Sequence, residues 1–238
     1  MRKHPSSAII YQGNSLIDNQ PIAVIISGLN GKSQNRKTGP MAQVDILLAD
    51  TKPTDAVKAN DCIAGSDYGI CGNCNLRPIY KNDASCYVNK GWSPLTKWRC
   101  FQAGKYPELT PKQVNTILKE NGISVRIGAY RDPSAVPYEI WEQLVTGIKF
   151  TAYSHSYNES WYDRRLDRIC MVSLDAKSNV VDDSINRQFR TYRIIGSKNE
   201  LQPSEIMCPA DMSNVQCETC LLCCGSSRKA KNIAIIKL

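Results

Sequence analysis

The segment running from Cys208 to Gly225 reads CPADMSNVQCETCLLCCG and holds five cysteines. Its spacing Cys208-x8-Cys217-x2-Cys220 is repeated earlier as Cys62-x8-Cys71-x2-Cys74, inside CIAGSDYGICGNC. Thiols this dense either staple an oxidised chain or hold metal. Cys217-x2-Cys220-x2-Cys223 is the three-ligand run of bacterial ferredoxins. Cys208, followed by Pro209, supplies a fourth thiolate. Thiolates suit the task because iron and zinc both favour soft, negatively charged sulfur. Cys224 is a spare.

A second set lies in CGNCNLRPIYKNDASC, where Cys71, Cys74 and Cys86 offer three thiolates and Cys62 or Cys100 can complete the set. Three ligands leave an open coordination position, as a reactive site needs. Four close it, as a structural zinc site does. Both alternatives stand. The total of eleven cysteines is odd, and CxxC pairs dominate, so metal ligation is expected over disulfides. Isolated Cys62, Cys100 and Cys170 read as buried structural thiols.

No sustained apolar core follows the basic start, and no apolar run approaches the roughly 20 residues that span a bilayer. A cytoplasmic chain without a membrane partner is expected, with thiols kept reduced. The formal net charge of +8 suggests an acidic partner, a nucleotide or nucleic acid. In DRRLDR, Arg164 and Arg165 alternate with acids and read as a solvated helix face. SSRKAK follows the cysteine cluster directly. In GWSPLTKWRCF, Trp92 and Trp98 are read first as core anchors and second as stacking platforms for bases.

These groups need elements to position them. PIAVIISG and MAQVDILLAD read as strands, and residues 51–106 form an irregular, cysteine-rich insertion. A stretch that long without periodicity calls for an organiser such as metal. LTPKQVNTILKENG is a helix, with Thr110 as cap, Pro111 in the first turn and Gly122 at the exit. SVRIGAY, KFTAYSHS, RICMVSLD, RTYRIIGS and KNIAIIKL read as strands. VPYEIWEQLVTG, NESWYDRRLD and NVVDDSINRQF read as helices between them. This alternation predicts an α/β chain with a parallel sheet: six strands, with MAQVDILLAD extra, in an incomplete (β/α)6 TIM-like barrel or an open parallel sheet. Residues 1–20 are assigned to an N-terminal arm. Residues 21–238 form one domain, with a C-terminal cysteine lobe at 208–225.

Sites of such sheets gather at the C-terminal ends of strands. Those ends deliver Tyr130, Arg131 and Asp132, then Ser154, His155 and Ser156, then Ser173 and Asp175. Arg126 and Arg193 sit inside apolar strands, where a charge must be paired or line a cavity. Arg126, Tyr130, Asp132, His155 and Asp175 are the expected catalytic set. Lys37, Ser173 and Arg193 are the expected cofactor contacts.

The ordered stretches RKTGPMAQ, CGNC with CYVNKGWSPLTKW, VRIGAYRDPSAVPYEIW, AYSHSY, MVSLD, FRTYRI, EIMCPA and CETCLLCCG resemble a family of bacteriophage and mobile-element proteins. The resemblance spans about residues 21 to 238. A rolling-circle replication label carried by loosely similar proteins does not transfer. That chemistry needs a His-apolar-His pair, and the chain has only His4 and His155. More distantly, the chain is similar to radical S-adenosylmethionine enzymes. That likeness implies a 4Fe–4S cluster held by three cysteines after the first strand, S-adenosylmethionine on its open iron, and a second cluster in the C-terminal extension. The family motif is CxxxCxxC, whereas this chain has Cys71-x2-Cys74-x11-Cys86. Cys86-Tyr87 echoes the aromatic residue beside a cysteine in that class. The alternative expectation is a zinc-stabilised, non-catalytic nucleic-acid-binding protein.

Overall fold

Apolar residues in short runs build the first strands, β1 (Ser7–Asn14), β2 (Pro21–Ser27) and β3 (Ala42–Leu48). The computed structural model describes residues 4–33, 35–56, 66–77, 86, 91–174, 189–225 and 230–236. β1 pairs antiparallel with β2, and β2 antiparallel with β3. Residues 7–14, assigned above to an arm, are therefore a sheet strand. Ala8, Ile9 and Ile10 bury their side chains in the core, and that burial holds the segment down. The strand 21–27 is also displaced from its expected place, because it runs against the parallel set. The parallel series begins at β3.

After β3 come α1 (Tyr68–Cys71), α2 (Ser93–Gln102) and α3 (Pro111–Glu120). α2 lies inside the insertion expected to be irregular. Its apolar stripe is weak, but Trp98 packs on the core and donates its indole N–H to Ala49 O at 3.2 Å. Lys97 of the same helix pairs with buried Asp45 of β3. α3 keeps its expected punctuation. Thr110 Oγ1 accepts from Gln113 N, and Gln113 Oε1 accepts from Thr110 N at 2.8 Å, a reciprocal cap. Val114, Ile117 and Leu118 are its buried face.

β4 (Val125–Tyr130), α4 (Tyr138–Val145), β5 (Phe150–Thr151), β6 (Tyr153–Ser154), β7 (Met171–Leu174) and β8 (Thr191–Ile195) follow. The chain ends with β9 (Glu205–Met207), two four-residue helices, α5 (Pro209–Met212) and α6 (Cys217–Cys220), and β10 (Asn232–Ile236). The short helix expected over NESWYDRRLD is a 3-10 turn at Arg164–Arg168. The helix expected at 179–189 lies outside the described residues except at Phe189.

The chain is thus a mixed α/β protein with two five-stranded sheets, ordered β1-β2-β3-β4-β5 and β6-β7-β8-β10-β9. The second is parallel throughout, and β3, β4 and β5 continue that sense in the first. Only Ala152 separates β5 from β6. One stretch of chain, expected above as a single strand, therefore serves both sheets. The main core is formed by β1–β4, α3 and α4, with Trp141 fully buried.

Candidate metal centres

The loop after β3 is pinned on the exit of β4. Asp132 N donates to Ile70 O at 2.9 Å, and Ser15 Oγ donates to Gly69 O at 2.5 Å. Asp67, fully buried, accepts from Arg77 Nη2 at 2.7 Å and Nε at 3.2 Å. Arg77 also reaches Gly72 O at 3.2 Å. This buried pair folds the chain back on itself and sets Cys71 and Cys74 on one turn. Gly72 follows with φ +56°, and a Cβ there would stand 3.1 Å from the Trp161 ring and 3.4 Å from Ser156 Oγ. The exit of β6 therefore packs directly on the CGNC turn, which only glycine permits.

Arg131 is the cation of this group. It takes φ +77°, in the left-handed region, and its side chain is 3% exposed. Nη1 donates to Cys71 Sγ at 3.0 Å and Nη2 to Tyr130 Oη at 2.7 Å. Burial pushes the Cys71 thiol up to about 12. Arg131 opposes the shift, while Asp67, Cys74 and Cys86 add to it. Burial also pushes Tyr130 to about 12 against the same arginine. Burial works against the charge of Arg131, yet Cys71, Tyr130, Asp67 and Cys86 together hold its pKa above the ordinary value. Cys71, Cys74 and Cys86 thus share one electrostatic neighbourhood.

Asp132 anchors the next turn. Its carboxylate accepts from Ser134 N at 3.0 Å, Ser154 Oγ at 2.8 Å and His155 N at 2.7 Å. His155 Nδ1 lies 3.8 Å from the same carboxylate, with the imidazole 27% exposed. Four expected catalytic residues are now placed. Tyr130 and Asp132 adjoin the first thiol group through Arg131 and Ile70, and His155 lies beside Asp132, whereas the charge of Arg126 acts on Cys217 of the other group. Asp175 lies outside the described residues.

The second group is Cys208, Cys217, Cys220 and Cys223. Cys208 and Cys223 are buried with Met171, Ile233 and Ile235, and Tyr153 and Tyr192 pack alongside. Cys217 N donates to Lys37 O at 3.1 Å and Glu218 N to Thr38 O at 3.1 Å, which docks the lobe on the segment leading into β3. Burial pushes the Cys223 thiol up to about 12. The Tyr153 hydroxyl opposes that shift, and Cys208, Cys217 and Cys220 add to it. Burial likewise raises Cys217, with Arg126 and Lys37 opposing. Cys224 donates to Leu221 O at 3.4 Å.

Among the described residues, no three Cys, His, Asp or Glu side chains stand in coordinating geometry. The thiols are neighbours, not a finished shell. Asp67 Oδ2, Arg131 Nε, Ser156 Oγ and Trp161 Nε1 are buried without a hydrogen-bond partner among the described residues, and all four belong to residues around the CGNC turn.

The expected cofactor contacts fare differently. Lys37 Nζ pairs with Asp211 at 2.5 Å beside the second group. Arg193 is neutralised inside the sheet by Glu205, at 2.7 Å from both Nε and Nη2. Ser173 is buried on β7. Cys170 is a buried single thiol, while Cys62 lies outside the described residues. Arg165 is held by Asp163 and Glu139 at the surface. Arg131, Asp67 and Ser156 complete the first neighbourhood. Arg131 and Ser156 stand at the expected strand ends, but nothing in sequence spacing singles out Asp67.

No protein-family model, curated protein or solved structure matches the chain. No helix among the described residues is long and apolar enough to cross a membrane.

Proposed function

We propose that the chain is an iron–sulfur protein with two cysteine-held centres, one open and reactive and one closed. Cys71, Cys74 and Cys86 hold the open centre. Cys208, Cys217, Cys220 and Cys223 hold the closed one. One observation carries this reading. The thiols sort into two electrostatic neighbourhoods, each faced by an arginine of the same strand segment, Arg126 and Arg131. A cation beside a thiol favours the thiolate that binds metal.

In this reading β3, β4, β5/β6, β7 and β8 are the consecutive parallel strands of an incomplete barrel, and the chain belongs with bacteriophage-type cysteine-cluster proteins. The open centre would bind S-adenosylmethionine and supply one-electron chemistry. The chain's own residues do the rest. Arg131 donates to the Cys71 sulfur. Asp132 fixes the β6 exit through Ser154 and His155. His155, partly exposed beside that carboxylate, holds or moves a proton on a nucleotide-type substrate in this reading.

Anaerobic purification followed by iron and sulfide analysis tests the reading. Brown protein with about four irons per centre, and a change in its electron paramagnetic resonance on adding S-adenosylmethionine, is the expected result. Colourless protein with stoichiometric zinc would favour a zinc-stabilised nucleic-acid binder. The observation that favours this second reading is Trp92, 77% exposed on a chain of charge +8.

A further inference from the structure

We propose that the outward stripe of α2 docks single-stranded nucleic acid, with Trp92 stacking on a base and Arg99 and Lys105 meeting phosphates. This deepens the nucleic-acid reading of Trp92 and does not depend on what the cysteines hold.

The two tryptophans of GWSPLTKWRCF part company in the structure. Trp98 is the core anchor, packed on the main core with its indole N–H on Ala49 O. Trp92, at the N-cap of the same helix, is 77% exposed, well ahead of Leu16, Leu201, Met212 and Val215. A single exposed apolar side chain is ordinary on a protein surface, so its neighbours decide what it does. Trp92, Thr96 and Arg99 follow one another at four and three positions, the spacing of one helix face, and all three are exposed. The opposite face carries Pro94, Leu95, Trp98 and Phe101, which are buried or half-buried.

The charge of this stretch has one sign. From Gly91 to Pro107 there is no Asp or Glu, whereas Lys97, Arg99 and Lys105 are present. Lys97 neutralises Asp45 on β3, against which the helix packs. Arg99 and Lys105 are exposed, and among the described residues no acid pairs with either. Lys105 is tied to the end of the helix by its N–H on Cys100 O at 3.0 Å. Such a surface complements an acidic polymer. An acidic protein segment would satisfy the cations, but its carboxylates leave the indole face uncovered. A base inside a duplex is already stacked on both faces. An unpaired base presents its π-face to the ring while its phosphates reach the cations, the mode of single-strand binders.

Fluorescence anisotropy of a labelled oligothymidylate, titrated with the anaerobically purified chain at several salt concentrations, tests this. Metal content is read on the same sample. Wild type should bind, and bind the single strand more tightly than a duplex of equal length. Trp92→Ala should weaken binding about tenfold or more, with Trp92→Phe within about threefold of wild type. Arg99→Gln and Lys105→Gln should each reduce the slope of log affinity against log salt by about 0.7. Lys198→Gln, an exposed cation beyond β8, should leave that slope unchanged.

Undiminished binding by Trp92→Ala overturns the proposal. So does an equal slope change in Lys198→Gln, because binding would then follow net charge alone. A fallen urea midpoint in Trp92→Ala, with binding lost from Trp92→Phe as well, overturns it by making the ring structural. Displacement of the oligonucleotide by polyglutamate as readily as by unlabelled oligothymidylate would hand the stripe to an acidic protein segment instead. A wild type that holds metal but binds no oligonucleotide refutes this proposal and leaves the cysteine-held centres standing.

Discussion

The backbone N–H of Ala152 donates to the carbonyl oxygen of Cys223 at 2.9 Å. That bond sits where one strand passes from the first sheet to the second. The neighbouring Tyr153 packs against the buried cluster that holds Cys223. Directly afterwards, Ser154 and His155 hold Asp132, and Asp132 holds the Cys71 turn at Ile70. A continuous set of contacts therefore runs from the C-terminal thiols to the N-terminal ones.

Ordered loading follows from that connection. Removing the second centre with Cys217→Ser and Cys220→Ser should also deplete the first, because strand β6 loses its anchor. Removing the first with Cys71→Ser and Cys74→Ser should leave the second intact. Iron per chain checks this: near zero for the first pair of substitutions and about half of wild type for the second pair, given equal clusters.

The buried pair of Arg193 and Glu205 makes a separate prediction about stability. Glu205→Gln alone leaves a buried guanidinium without its charge partner and should cost about 3–5 kcal/mol. Arg193→Met combined with Glu205→Leu should return to within ~1 kcal/mol of wild type or exceed it. Urea denaturation at neutral pH distinguishes an internal structural pair from a cofactor contact. Only in the second case would cluster content change while stability did not.

The cap of α3 is worth a further check. Thr110→Ala removes the hydroxyl that accepts from Gln113 N. It should cost about 1 kcal/mol, with unchanged iron content, because the helix packs on α4 and β1.

Cys170 gives the pH dependence. Burial pushes its thiol well above its ordinary value of 9.0, with Asp132 and Asp167 adding to the rise. Above pH 9 the unfolded chain releases this proton and the folded chain keeps it. The contribution to stability is therefore whole below that pH and is lost as pH rises through the alkaline range. Cys170→Ala should make the fall in stability between about pH 9 and about pH 11 shallower, by up to ~1.4 kcal/mol per unit. Urea midpoints across that range measure it. In the native protein at about pH 8, Cys170 should also resist alkylation.

Much of this arrangement was legible beforehand. The helix over 111–120 carries its own cap, proline and apolar stripe, and the alternation of strands and helices after residue 122 marks a parallel sheet. Cys217, Cys220 and Cys223 are close through their two-residue spacing, whereas Cys208 is brought to Cys223 by the fold, with its N–H on Ala234 O. The N-terminal strand escaped because pairing with β2, a tertiary contact, makes Ser7–Asn14 extended. α2 escaped because its apolar stripe is weak and its partners, Ala49 for Trp98 and Asp45 for Lys97, lie some fifty residues away. Arg193 looked like an anion contact because Glu205, twelve residues on, gives no local sign that it returns to meet it. The loop acid Asp67 matters only through a fold that brings it under the Cys71 turn.

Native mass spectrometry of the anaerobically produced chain tests the central claim most directly. Two iron–sulfur increments above the mass of the bare polypeptide are predicted, one of which disappears in Cys71→Ser. A bare mass, zinc increments alone, or the hydrogen deficit of disulfides would contradict it.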